Sequence, residues 1–94
     1  MTKDADRLIE LCKLYIAGQL SASEYVDSFE QAFWDIQDSL EPEELEMLDQ
    51  ISLENELFEP DVDARSEEDD LIDEPELRRR VLEHINRLMD GHEA

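Results

Sequence analysis

Apolar residues recur at helical spacing in four stretches of this chain. Over residues 5–17, Leu8, Leu11, Cys12 and Tyr15 follow the i, i+3, i+4, i+7 pattern, and Ile9 and Ile16 widen the stripe. Asp4 or Asp6 suits the N-terminal end of this helix. Gly18 suits the position just past its C-terminus, where a left-handed backbone is needed. Ser21-Ala22-Ser23-Glu24 is a capping box that opens a second helix, with Leu20 placed as the preceding hydrophobic staple. The buried stripe of that helix is Ala22, Tyr25, Val26, Phe29, Phe33, Ile36 and Leu40, and Glu24, Asp27, Glu30, Gln31, Asp35 and Asp38 take the other face. Trp34 falls outside the stripe, in a row with Glu30 and Asp38. Two readings fit it: a cover over the edge of the core, or an exposed aromatic anchor ringed by acids, the kind of residue that dominates interfaces.

A third helix is expected from Pro42, with Ser39 or Glu41 as cap and proline at the first helical position. Glu43, Glu44 and Glu46 then sit where the helix dipole favours negative charge. Leu45, Leu48 and Ile51 share one stripe with Met47 at its edge, whereas Leu53 and Leu57 point elsewhere. This phase break near Ser52 predicts a kink, or two shorter helices ending near Phe58. Residues 59–74 read as a turn opened by Pro60 followed by an acidic loop, long enough to be either functional or mobile. A last helix is expected from Pro75, capped by Asp73 or Glu74, with Leu77, Val81, Leu82, Ile85, Leu88 and Met89 as its stripe and Gly91 as its end. Glu76 with Arg80 and Glu83 with Arg87 are i, i+4 pairs in the favourable orientation. Arg78, Arg79 and Arg80 therefore read as structural, and are placed to restrain the acidic loop before them. No stripe can be buried alone. The fold class that follows is all-α: an antiparallel four-helix bundle with an acidic loop before the last helix, in a single domain spanning residues 1–94.

Charge changes the picture. The chain carries 28 Asp and Glu against 8 Lys and Arg, a formal net charge of -20. Residues 14–77 hold 22 of the acids and a single base, Arg65, so the acidity belongs to the middle of the chain. Solubility in a small domain needs a net charge of only about 2–8. The excess opposes compaction and asks for a partner. Such a surface repels phosphate, which excludes direct nucleic-acid binding and docking on anionic membranes. Cys12 is the one cysteine, so neither an internal disulfide nor a zinc cluster can form, and on its stripe it reads as a small core residue. No apolar run approaches the roughly 20 residues of a bilayer span. Asp4, Asp6, Arg7 and Glu10 interrupt any secretory h-region, so the expected compartment is the cytoplasm.

Catalytic chemistry is hard to assemble. His84 and His92 have no Ser or Cys partner motif, there is no glycine-rich phosphate loop, and carboxylates are too abundant for any one pair to signal an acid and a base. Asp61-x-Asp63 resembles the opening of a calcium loop, but Arg65, Ser66 and Ile72 occupy the positions that need an oxygen ligand, a glycine and a bidentate glutamate. The expectation is a protein that is no enzyme and uses no metal or cofactor. What remains is a helical frame that displays carboxylates and can imitate a phosphate backbone toward a protein with a basic cleft.

The stretch Leu53-Glu54-Asn55-Glu56-Leu57-Phe58-Glu59-Pro60-Asp61-Val62-Asp63 resembles the colicin D immunity protein family, with Phe58-Glu59-Pro60-Asp61-x-Asp63 its distinctive part. The apolar spacing of residues 8–17, the turn Leu20–Tyr25 and Val81-Leu82-Glu83 are similar to the family's helices. The resemblance implies a four-helix bundle that neutralises a transfer-RNA-cleaving toxin domain. It would do so one-to-one, by filling the toxin's basic active-site cleft with a tRNA-mimicking surface. It also implies that Glu56, Glu59, Asp61 and Asp63 face cationic toxin residues, on a turn set by Pro60. Trp34, Asp38, Glu67 and Glu68 extend the candidate toxin-binding surface. The loop after Asp63 is longer and more acidic than in the namesake, and the second and third helices are also more acidic, so a different cognate toxin fits as well. Two rival readings share the same charge: an acidic DNA mimic that inhibits a restriction or DNA-binding protein, and a helical adaptor that inhibits nothing.

Overall fold

The computed structural model describes the backbone of residues 2–92 and the side chains of residues 2–88. Within these the chain is all-helical. The elements are α1 (Lys3–Ile16), α2 (Ala22–Ile36), a 3-10 turn (Gln37–Ser39), α3 (Pro42–Glu56), α4 (Val62–Glu67) and α5 (Glu74–His92).

Most boundaries have visible local causes. Thr2 caps α1, its hydroxyl accepting from the Ala5 N–H at 3.2 Å, so the cap is neither Asp4 nor Asp6. Gly18 follows the helix end with φ +82° and donates its N–H to the Tyr15 carbonyl, as its lack of a side chain allows. The capping box of α2 is closed by reciprocal bonds between Ser21 and Glu24, each 3.1 Å. Glu41 caps α3 with Pro42 at its first position. This helix runs uninterrupted to Glu56, so the break expected at Ser52 is absent; the phase change instead leaves Leu53 52% exposed. Asp73 caps α5, accepting from the Glu76 N–H at 3.0 Å. Gly91 does not end α5, which continues to His92 because a single glycine costs a helix only about 1 kcal/mol. The side chains of Met89 and His92 lie outside the described residues.

The core gathers Ala5, Leu8, Cys12 and Tyr15 from α1, Tyr25, Phe29 and Phe33 from α2, Leu48 and Ile51 from α3, and Leu77, Val81, Ile85 and Leu88 from α5. Tyr15 and Tyr25 stack with centroids 4.5 Å apart, and Phe29 and Phe33 extend the aromatic row. Leu82 is not part of the stripe; it is 41% exposed. Burial pushes the Cys12 thiol up to about 12, which fits a core residue rather than a nucleophile.

Polar contacts join the ends of the long helices. Glu44 in α3 is buried and accepts from the Thr2 N–H at 2.8 Å and the Thr2 hydroxyl at 3.1 Å. Burial raises its pKa, but these bonds and the Glu41 N–H outweigh it and hold the carboxyl below its usual range. The Tyr15 hydroxyl, at the end of α1, donates to Glu74 at the start of α5, and Ser39 donates to Asp4 at 2.6 Å.

Candidate functional site

Residues 59–73 are more ordered than the loop expected from their composition. α3 ends at Glu56, and a parallel β-bridge then joins Phe58 to Ile72. The Glu59 N–H donates to the Ile72 carbonyl at 3.0 Å, and the Ile72 N–H donates to the Leu57 carbonyl at 2.9 Å. Ile72 is buried and Phe58 packs against the core, so both ends of the segment are anchored. Between them lies α4, which replaces part of the expected loop. Asp61 starts it, its carboxylate accepting from the Asp63 N–H at 3.0 Å, and Ser66 closes back on the Asp63 carbonyl at 2.7 Å. Arg65 donates through Nη1 to the Glu59 carbonyl at 2.7 Å.

The candidate residues fall into two groups. Glu56, Glu59, Asp61 and Asp63 follow one another from the end of α3 into the first turn of α4, while Glu67 and Glu68 sit at its far end. All but the half-buried Glu59 are exposed, and none of the six is in an ion pair among the described residues. Trp34 and Asp38 form the second group, on α2 and the 3-10 turn. Trp34 is 75% exposed, so it does not cover the edge of the core. Glu30 of α2 lies beside Ser52 and Glu56 of α3, around a cavity of about 20 Å³. Trp34 lies one turn further along α2, about 6 Å beyond Glu30 at the helical rise, and Asp38 follows in the 3-10 turn. Among the described residues neither of these two is hydrogen-bonded or ion-paired to the Glu59–Asp63 turn. Asn55 borders the same cavity; it is 4% exposed, and its amide atoms have no hydrogen-bond partner among the described residues.

The basic run of α5 is engaged elsewhere. Arg78 pairs with Glu74, Arg79 with Glu76 and Glu83, and Arg80 with Glu76 and, across to α3, with Glu54 at 2.9 Å. Hydrogen bonds from Arg79 hold the Glu76 carboxyl down at about 2. These arginines therefore stitch α5 to itself and to α3, and do not restrain the acidic segment as expected. That task falls to Arg65, which sequence reasoning passed over. Its signal was its isolation, a lone base in a long acidic run. Among the described residues no cluster of His, Cys, Asp and Glu has a metal-holding geometry, and no helix is long and apolar enough to cross a membrane.

The described residues thus form a small helical body with a tethered acidic turn between α3 and α5. The family comparison gives that form a lineage: residues 5–88 match the model of bacterial self-protective colicin-like immunity proteins, and the chain belongs to that family. Comparisons with curated proteins and with solved structures return no match.

Proposed function

We propose that this immunity protein neutralises a cognate tRNA-cleaving toxin domain by filling its basic active-site cleft with an acidic, tRNA-mimicking surface. It works one-to-one, in the cytoplasm, without catalysis, cofactor or bound nucleic acid. The observation that carries this reading is the turn Glu59–Asp63, whose carboxylates are in no ion pair among the described residues and sit on a segment bonded at both ends. A presented acid of this kind suits charge-assisted bonds to cleft arginines and lysines, and it speeds encounter with a basic partner. The resemblance of the Phe58–Asp63 motif to the colicin D immunity type supports the reading. The frame we infer is an antiparallel four-helix bundle of α1, α2, α3 and α5. Three contacts favour it: Ser39 with Asp4, Tyr15 with Glu74, and Glu54 with Arg80.

The test is an RNA-cleavage assay with the nuclease domain of the toxin encoded beside this chain's gene. One equivalent of the wild-type chain abolishes cleavage of total tRNA. The double variant Glu59→Lys/Asp61→Lys, checked for its fold by circular dichroism, fails to do so. Full inhibition by the double variant removes the turn from the interface. Inhibition of a DNase but of no RNase moves the protein to the DNA-mimic class.

A further inference from the structure

Arg65 stands within four residues of Asp61, Asp63, Glu67, Glu68 and Asp69, and it is the only base between residues 14 and 77. A guanidinium in such a setting is expected to close on a carboxylate. It does not. Among the described residues no carboxylate lies within ion-pair distance of Arg65, and its Nη1 goes instead to the main-chain carbonyl of Glu59 at 2.7 Å. The Glu59 N–H is held from the other side by Ile72. Both backbone polar groups of Glu59 are thus engaged. The Arg65 backbone N–H makes the first helical bond of α4, to the Asp61 carbonyl at 3.0 Å, and that bond does not depend on the side chain.

We infer that Arg65 is a positioning residue for the toxin-binding turn. Its cation fixes backbone geometry and leaves the carboxylates of Glu59, Asp61 and Asp63 unneutralised and aimed at a cationic partner. This rests on the assignment of that turn as the toxin contact. It makes a prediction opposite in sign to charge counting. Arg65→Ala raises the negative charge by one from -20, and bulk attraction to a basic partner then grows. Positioning instead requires weaker binding, because a loosened turn must be ordered on association, and the loss shows in the dissociation rate.

The experiment compares the full wild-type chain with Arg65→Ala and Arg65→Lys in two measurements. The first is amide hydrogen exchange. Arg65→Ala should exchange the Glu59 amide about tenfold faster, with α1 and α5 unchanged. The second is binding kinetics against the inactivated nuclease domain of the toxin encoded beside this chain's gene, with poly-L-lysine as an unstructured polycation. Arg65→Ala should leave the toxin domain about tenfold faster while binding poly-L-lysine as well as wild type or better. Arg65→Lys, which keeps the charge and a donor, falls between the two. Unchanged exchange in Arg65→Ala shows that the tie holds nothing and overturns the proposal. Faster exchange with unchanged or slower toxin dissociation overturns it too, but leaves the turn's assignment standing. Absence of wild-type binding to the toxin domain removes the functional assignment and the positioning role together, and the wild-type measurement tells that failure apart from the others.

Discussion

Helix α5 and the segment between α3 and α5 are both dense in charge, and they use it in opposite ways. In the first half of α5, the run Arg78, Arg79 and Arg80 is flanked by Glu74 and Glu76 on one side and Glu83 on the other, and each arginine finds a carboxylate. The partners sit one helical turn apart, so the backbone itself sets the register. In residues 59–70 the acids follow one another with one base among them, and that base pairs with a carbonyl. Ion pairs at helical spacing need no partner molecule, whereas a row of unpaired carboxylates gains from one. Charge density alone therefore does not mark an interface.

The sharpest way to break this comparison is to truncate one apolar side chain on each side. Leu77→Ala, at a fully buried site of α5, should cost about 3 kcal/mol in urea unfolding. Val62→Ala in α4, where the valine is 67% exposed, should stay within about 0.5 kcal/mol. Equal losses would mean that α4 belongs to the core. Next in size is Arg80→Ala, which removes the ion pair between α5 and α3 and should lower stability by about 1 kcal/mol without changing toxin affinity. An affinity loss there would move the basic run into the interface.

Acid titration sharpens the same contrast. The Glu76 carboxyl is held down at about 2 by Arg79, and Glu44 is held below its usual range. For a carboxyl whose folded pKa is depressed, the linked stability is present above the unfolded value near 4.5 and is lost as pH falls through the folded value. Glu76→Gln should therefore melt below wild type at neutral pH and converge with it as pH falls from about 4.5 toward 2. A gap that persists at pH 2 would show that the pairing is not what Glu76 contributes. The smallest effect concerns Cys12. With burial pushing its thiol up to about 12, alkylation by iodoacetamide at neutral pH should follow global unfolding, and rapid labelling of the native chain would contradict its place in the core.

The four long helices were legible because each carries a repeating apolar stripe that a neighbour must cover. Tyr25, Phe29 and Phe33 announce α2 by spacing alone, and Ser21 with Glu24 fixes its start within four residues. α4 was not legible for the complementary reason. Its six residues bury no side chain fully, and its stability comes from the Asp61 cap and from a bridge between Phe58 and Ile72, 14 positions apart. Glu44 read as a dipole-stabilising surface acid, but it is buried, because Thr2, 42 residues away, supplies its donors. In the site, the run from Glu56 to Asp63 was readable as a motif. The exposure of Trp34 was not, since that depends on which neighbours cover α2. Local patterns thus foretell helices, while contacts across the chain decide which charges remain free.

The bridge between Phe58 and Ile72 brings the two ends of a 13-residue stretch together on the body of the protein. A segment whose termini are already joined by the scaffold can change its contents without asking the scaffold to refold. Residues 59–71 can therefore change in sequence or length at little cost to the helices that carry them.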